Sequence, residues 1–252
     1  MTQDSLSLVG DVLSAQSHRH SFMHLILSLN QQPLTVKIDN NDYNSTAFLI
    51  NGDVTHQVIQ VNQHYWLILI NHTSSLASCL RHLWLDGNIP FLDISQQVNS
   101  LLPQAYRQFQ QPISEDEYRD LWNKLVQQLE VSSCYQSHKI SDKRVNAVLA
   151  TLRETTLLPL QDEKILADIY LSRSRLSHLF TDITGGNLKN YILFHRLIAT
   201  LLQISQGSSA TQAALDNGFD SPSHLSSTCR KLMGISPRFA KQVSQFLKVL
   251  PK

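Results

Sequence analysis

The sequence predicts an α+β protein of two domains, with a β-rich half followed by an all-α half. Short runs rich in Val, Ile, Leu and aromatic residues occupy residues 22–70, separated by Asn, Gly and Asp, which is typical of strands. From residue 74 the apolar residues recur at helical spacing, and residues 171–237 contain one short device twice: a helix, a tight turn and a Ser-capped helix. At 252 residues the chain is long enough for two ordinary domains.

The two halves carry opposite charges, although the net charge of the chain is only +1. Residues 1–140 contain 7 Lys and Arg against 12 Asp and Glu, a charge of −5, whereas residues 141–252 contain 14 against 8, a charge of +6. A basic half suits contact with a phosphate backbone, although a solvated charged surface gives the same composition. The asymmetry supports different partners for the two halves.

The N-terminal sequence MTQDSLSLVGD lacks the basic region of a signal peptide. The longest apolar runs, such as YWLILI at 65–70, are too short to cross a bilayer, so no membrane partner is expected. The three cysteines, Cys79, Cys134 and Cys229, are odd in number and widely scattered. This pattern predicts reduced thiols in a cytoplasmic protein.

Five runs in the first half are candidate strands: FMHLILSL, PLTVKID, TAFLI, HQVIQV and HYWLILI. Five or more such strands predict a sandwich or a small barrel. Because side chains alternate along an extended segment, one face carries His18, His20, Phe22, His24 and Ile26. His56 follows the turn sequence NGDVT and would join this face from another strand.

The His-x-His at residues 18–20 and the later histidine after a Gly-containing turn resemble the motifs of a cupin-like barrel. The resemblance implies a small-molecule effector bound by His18, His20, Phe22, His24 and His56. Metal-binding cupins have a glutamate where this chain has His24, and a proline that its later motif lacks. Imidazoles are nevertheless ligands for zinc, copper, nickel and iron, so a possible transition-metal site consists of His18, His20, His24 and His56. The other interpretation is a set of polar barrel residues that bind nothing.

Residues 74–131 turn helical, beginning with SSLASCLRHLWL. The clearest helix opens with a capping box at Ser114, and its apolar stripe consists of Tyr118, Leu121, Trp122, Leu125 and Leu129. The stripe faces either a second copy of the chain or its own barrel, and its pattern does not say which. The polar residues 132–141 are typical of a linker, so the predicted domains are residues 1–131 and 142–252.

The repeated device has its first copy in LSRSRLSHLFTDITGG, residues 171–186, where Ser172 is a candidate N-cap. The apolar residues of this copy recur at helical spacing: Leu176, Leu179, Phe180 and Ile183. The second copy is GFDSPSHLSSTCRKLMGISP, residues 218–237, with Ser221 as N-cap and Pro222 at the first helical position. Its inner stripe consists of Leu225, Leu232 and Met233.

A rigid spacer is predicted between the copies. Residues 187–204 read as one helix of 18 residues, about 27 Å long at 1.5 Å per residue. This length approaches the B-DNA repeat of about 34 Å, so two recognition helices on one rod could enter successive major-groove segments. The other interpretation is a plain all-α domain whose capped helices are only structural.

Residues 141–245 resemble the tandem helix-turn-helix domain of the AraC/XylS family of transcription regulators. The resemblance lies in the order and spacing of LSRSRLSHLF, HRLIATLLQISQG and ALDNGFDSPSHLSSTCRKLMGISP. Leu166 and Tyr170 depart from the small residue and turn glycine usual in the first unit, and Cys229 replaces a customary Phe. The resemblance implies an N-terminal cupin-like β-barrel with following helices and a C-terminal all-α tandem helix-turn-helix domain.

The outward residues of the two recognition helices are the candidate DNA contacts. On the first helix these are Arg173, Ser174, Arg175, Ser177 and His178. On the second they are Ser223, His224, Ser226, Ser227, Arg230 and Lys231. The resemblance implies that the serines and histidines read bases, whereas the Arg and Lys side chains suit phosphates.

Together these features predict a cytoplasmic DNA-binding transcription regulator, with double-stranded DNA and RNA polymerase as partners and a homodimer as the expected assembly. A small-molecule effector in the N-terminal barrel would control DNA binding or activation. Two alternatives are a metal-responsive regulator that uses the histidines, and a cupin-type metalloenzyme fused to a DNA-binding tail. The missing glutamate counts against the enzyme, because catalysis needs a complete ligand set with an open position.

Overall fold

The computed structural model describes residues 5–13, 15–59, 61–86, 89–137, 142–154, 171–184 and 186–237. Its strands are β1 (Ser5–Leu13), β2 (Met23–Ser28), β3 (Leu34–Ile38), β4 (Asn41–Ser45), β5 (Ala47–Ile50), β6 (His56–Val58), β7 (Val61–Ile70) and β8 (Phe91–Asp93). Its N-terminal helices are α1 (Ser75–Trp84), α2 (Ser95–Val98), α3 (Leu102–Phe109), α4 (Glu115–Gln128) and α5 (Ser132–Ser137). The later helices are α6 (Lys143–Glu154), α7 (Arg173–Thr184), α8 (Leu188–Ser205), α9 (Ala210–Asp216) and α10 (Pro222–Met233).

The described strands form two antiparallel sheets, with orders β1-β7-β2-β5-β8 and β4-β3-β6. The larger sheet is buried on both faces. Leu25 and its partner Ile68 face a cluster built with α1 to α4, whereas Ile26 and its partner Leu67 face the smaller sheet and the C-terminal helices. The N-terminal half is therefore β-rich, as expected, but its described strands form two sheets and no closed barrel.

Each of the five predicted strand runs contains a strand, and β1, β4 and β8 were not predicted. β4 has the sequence NDYNS, which is polar and largely exposed, so hydropathy gives it no strand signal. It is a strand because it pairs with β3, from Leu34 opposite Ser45 to Ile38 opposite Asn41.

Helix α4 packs on the N-terminal half itself. The capping box is present, with Ser114 and Glu117 bonding each other's backbone N–H. The predicted stripe is buried, and Tyr118 packs edge-on against Trp66 of β7 while its hydroxyl bonds Ser7 of β1. This settles the alternative that the sequence left open, because the stripe faces the chain's own sheet.

The cysteine prediction is wrong for two of the three residues. Cys79 of α1 and Cys134 of α5 form a disulfide across 55 positions, and Cys229 is a buried thiol. Sequence spacing could not show this, because the pairing depends on α5 packing back against α1. Residues 132–137 of the predicted linker thus form a helix tied to the N-terminal half.

In the ranges that the structure describes, none of the helices has the length and apolar character to span a membrane.

The spacer helix is confirmed, with its predicted start shifted by one residue. Asn187 caps α8 by accepting a hydrogen bond from the Lys189 N–H at 2.8 Å, and the helix has 18 residues. Phe180 of α7 packs edge-on against Tyr191 of α8, within a small core that α6 completes. Leu166 and Tyr170, the two departures from the resembling family in the first unit, lie outside the described residues.

The two halves share one core. A single hydrophobic cluster joins one face of the larger sheet to the inner residues of α8, α9 and α10. Phe22 lies against Phe194 of α8 with ring centroids 4.5 Å apart. Gly186 is so close to the N-terminal half that a Cβ there would lie 1.9 Å from a methyl group of Thr73. Helices α8, α9 and α10 are therefore docked on the β-rich half.

Candidate nucleic-acid interface and histidine cluster

The first recognition helix, α7, begins where the sequence placed it. The Ser172 hydroxyl accepts the Arg175 N–H at 3.3 Å, which fixes the start of the helix. Leu176 and Phe180 are buried. The candidate contacts Arg173, Ser174, Arg175 and His178 are exposed, and Ser177 is half-buried.

The second recognition helix, α10, is defined at both ends. Ser221 accepts the His224 N–H at 3.1 Å, Pro222 lies in the first turn, and Gly234 ends the helix with a left-handed φ of 67°. Leu225, Cys229 and Leu232 are buried, so Cys229 fills the core position where the resembling family has a Phe. Of the outward residues, Ser226 is half-buried. The others are exposed, namely Ser223, His224, Ser227, Arg230 and Lys231.

His224 is held in place by its neighbours. Its Nδ1 lies 3.1 Å from a carboxylate oxygen of Asp220, and its ring packs edge-on against Phe219 at 5.4 Å. Phe219 is itself buried, so the ring has a fixed support. The polar contacts with Asp220 use Nδ1 and leave Nε2 uninvolved.

A cavity of about 790 Å³ separates the two recognition helices. It is lined by residues of α7, by the outward side of α8 and by His224 at the start of α10. Three cationic side chains line it, namely Arg173, Lys189 and Arg196. Arg196 also donates to the carbonyl oxygen of Gly218 at 3.2 Å, which ties α8 to the turn before α10. Sequence reasoning missed Lys189 and Arg196, whose only signal was that they are the two cationic residues of helix α8.

The four predicted histidines come together on the face between the two sheets. His18 and His56 exchange backbone hydrogen bonds of 3.0 Å, and their rings lie 4.4 Å apart. The rings of His24 and His56 are 4.5 Å apart, and those of His20 and His24 are 4.8 Å apart. The segment is not one continuous strand, because β2 begins only at Met23. Phe22, predicted to bind an effector, packs between His20 and Phe194.

The ring nitrogens of this histidine cluster converge without partners of their own. The Nε2 atoms of His18, His20 and His56 and the Nδ1 atom of His24 are buried and have no hydrogen-bond partner among the described residues. One ligand atom from each residue can be chosen so that all four lie within 4.8 Å of one another. Buried polar atoms are nearly always hydrogen-bonded, so four unpaired nitrogens within one cluster of rings mark a candidate ligand site.

Backbone hydrogen bonds fix the tautomers of two rings. His18 Nδ1 donates to the carbonyl oxygen of Gln16 at 2.8 Å, and His56 Nδ1 donates to that of Val54 at 2.9 Å. Each ring therefore directs the lone pair of Nε2 into the cluster. His20 differs, because its Nδ1 accepts the Phe22 N–H at 3.1 Å and the proton of the neutral ring then lies on Nε2.

Burial keeps the four imidazoles neutral. It lowers the pKa of His56 to about 4 and lowers the pKa values of His20 and His24 well below the usual value for histidine. The pKa of His18 is also lowered, since most of its ring is buried. Neutral imidazole is the form that binds metal ions.

The C-terminal helices match a family of known proteins. A family described as a helix-turn-helix domain matches residues 166–242. The invasion protein InvF of Salmonella typhi and that of Salmonella typhimurium strain LT2 are each 33% identical over 79 residues, which is 31% of this chain. The chain thus spans 37% of the length of these curated relatives.

The whole fold is similar to that of ToxT from Vibrio cholerae. An apo ToxT variant superimposes with a TM-score of 0.55 at 13% identity, covering 95% of this chain and 97% of that one. ToxT bound to an unsaturated fatty acid gives 0.53 at 13% identity, covering 97% of both chains. The similarity extends over both halves and shows a shared two-domain fold.

Proposed function

We propose that this chain is a sequence-specific DNA-binding transcription regulator of the AraC type, whose DNA binding or activation is controlled by a ligand in the N-terminal half. The observation that carries the proposal is the pair of Ser-capped helices, α7 and α10, on either side of the 18-residue helix α8. Each exposes polar and cationic side chains and buries its apolar stripe. The match to a helix-turn-helix family supports the same reading.

The cavity between the helices suits the DNA backbone. When two recognition helices enter successive major-groove segments, the intervening phosphates pass between them. Arg173 and Lys189 line that space, and Arg175, Arg230 and Lys231 surround the base-reading positions. In this arrangement the cations bind phosphates, whereas Ser174, His178 and His224 contact base edges.

The ligand binds in the N-terminal half, in place of the effector of a cupin-like barrel. The described strands of this half form two sheets that are not closed. The shared core gives it a route to α10, since both halves contribute to one hydrophobic cluster. A similar fold holds an unsaturated fatty acid in ToxT, which supports control by a small molecule here. A cytoplasmic location, contact with RNA polymerase and a homodimer complete the proposal.

An enzymatic function is the weaker alternative. Catalytic metal sites keep one position open for substrate or water, whereas four histidines converge in this chain. The match of residues 166–242 to a helix-turn-helix family supports a DNA-binding function instead.

Footprinting with the full chain tests the proposal. Genome-wide mapping of bound DNA supplies the sites, and each site should show protection over two adjacent major-groove turns on one face of the duplex. A footprint confined to half a turn contradicts the tandem arrangement. Equal affinity for mapped sites and random DNA contradicts sequence-specific binding.

A further inference from the structure

We propose that His18, His20, His24 and His56 bind one divalent transition-metal ion of the zinc class, and that His18 couples its binding to the C-terminal end of recognition helix α10. The metal site stands on its own geometry. Its effect on DNA rests on the proposed function.

The chemistry of the ligand set favours a borderline metal ion. Four neutral imidazoles without a carboxylate suit zinc, copper, nickel or cobalt and disfavour magnesium and calcium, which require oxygen ligands. The backbone hydrogen bonds from His18 and His56 are the outer contacts that orient metal-bound histidines. Four histidines can fill all four tetrahedral positions of a zinc ion, and such a closed ligand set is typical of a structural site.

Binding requires the rings to move closer. A tetrahedral site with bonds of about 2.1 Å places its ligand atoms about 3.4 Å apart. The cluster nitrogens lie up to 4.8 Å apart. The metal therefore draws the four rings together and displaces at least one of them.

His20 is the ligand that must change most. Binding through Nε2 requires the proton there to move to Nδ1, and the Phe22 N–H then loses its acceptor. His18 and His56 need no such exchange, because their Nε2 lone pairs already face the cluster. Loss of His20 should therefore weaken binding less than loss of His18 or His56.

His18 connects the cluster to the second recognition helix. A Cβ built on Gly234, the C-cap of α10, would lie 2.8 Å from two ring atoms of His18 and 2.9 Å from Ala15. The carbonyl oxygen of Gly234 accepts a hydrogen bond from the Gln16 N–H at 3.3 Å. The carbonyl oxygen of Gln16 in turn accepts a hydrogen bond from Nδ1 of His18. Movement of His18 toward a metal therefore reaches the end of α10 through three contacts.

Zinc titration of the chelator-stripped full chain tests the site. Calorimetry with ZnCl₂ alone should give about one ion per chain, and Co²⁺ should give the strong visible absorption of a tetrahedral complex. The His18→Ala and His56→Ala variants should each lose more than about 100-fold in zinc affinity, since even outer contacts cost 10- to 100-fold. The exposed His82→Ala variant is the matched control and should bind as the wild type does. Circular dichroism verifies that each variant is folded.

Three results overturn the site, and the first two are no saturable zinc binding by folded wild-type protein and equal zinc affinity in His56→Ala and His82→Ala. An octahedral Co²⁺ spectrum with unchanged affinity in His18→Ala also overturns it.

The coupling is tested without DNA by two glycine variants. Gly234→Ala pushes a methyl group into His18 and should lower zinc affinity by at least about tenfold, given the sensitivity of metal sites to outer contacts. Gly207→Ala also occupies a positive φ but meets nothing within 4 Å, so its zinc affinity should be unchanged. Equal affinities in the two variants overturn the coupling.

The DNA arm compares zinc-loaded and stripped protein on a mapped site. Coupling predicts different DNA affinities, and linkage requires that DNA change zinc affinity by the same factor. Identical DNA affinities overturn control by the metal. Absence of any DNA binding contradicts the proposed function and leaves the zinc results standing.

Discussion

Several side chains at the proposed base-reading positions of the two recognition helices are short. Ser174, Ser223 and Ser227 offer single hydrogen bonds, where Arg would offer a bidentate contact with guanine. Such contacts discriminate bases only if the side chains are held in place. His224 meets this condition, because Asp220 and the buried Phe219 fix its ring.

Replacing His224 with Ala should reduce affinity for a mapped site by about 1–3 kcal/mol and leave affinity for random DNA nearly unchanged. Arg230→Ala should weaken binding to both kinds of DNA and lower the slope of log affinity against log salt by about one. Binding titrations at several salt concentrations measure both effects. Arg119→Ala, on the exposed side of α4, is the control and should change neither quantity. Equal losses on specific and random DNA in both variants would contradict the division into base and phosphate contacts.

At the scale of single residues, sequence identified the four histidines but not their geometry. Alternation along an extended segment grouped His18, His20 and His24, and the turn before His56 suggested a second strand. The contact of His18 with Gly234 could not be predicted, because it joins residues 216 positions apart through the docking of the two halves.

Helix ends decide where the elements of this chain begin. Three helices begin at a serine whose side chain accepts a hydrogen bond from the backbone N–H three residues later: Ser114, Ser209 and Ser221. Such helix starts are predictable from sequence, because capping is a local interaction. Strand β8 is different, since its three residues are a strand through their pairing with β5, which is distant in the sequence. Local signals therefore predicted the helices better than the edge strands.

Two cap variants separate stability from DNA recognition. Ser114→Ala and Ser221→Ala should each lower the free energy of unfolding by about 0.5–2 kcal/mol, because each removes the acceptor at a helix start. Urea denaturation measures this loss. Only Ser221→Ala should also weaken binding to a mapped site, since its cap positions His224. A DNA-affinity loss of the same size in Ser114→Ala would show that general stability controls binding.

At the scale of the whole molecule, the Cys79–Cys134 disulfide and the shared core join parts that the sequence presents as separate. The disulfide fixes α5 against α1, at the point where the chain leaves the N-terminal half. The contact between Phe22 and Phe194 joins the two halves themselves. Sequence predicted two domains but not their union, because each contact depends on residues far apart in the chain.

The disulfide closes a long loop in the unfolded chain and so disfavours unfolding. Its reduction should therefore lower the free energy of unfolding by about 2–4 kcal/mol. Urea denaturation with and without dithiothreitol measures the change. A double variant with Ala at positions 79 and 134 is the control and should not respond to the reductant. A wild-type midpoint that does not move would contradict a stabilising role.

The shared core also sets an order of events during synthesis. Phe194 lies 172 positions after Phe22, so at about 5–20 residues per second the ribosome makes it roughly 10–30 seconds later. During that interval the nascent chain displays apolar surface around Phe22 that only its last third can cover. We therefore expect this surface to stay uncovered until α8 to α10 have been synthesised.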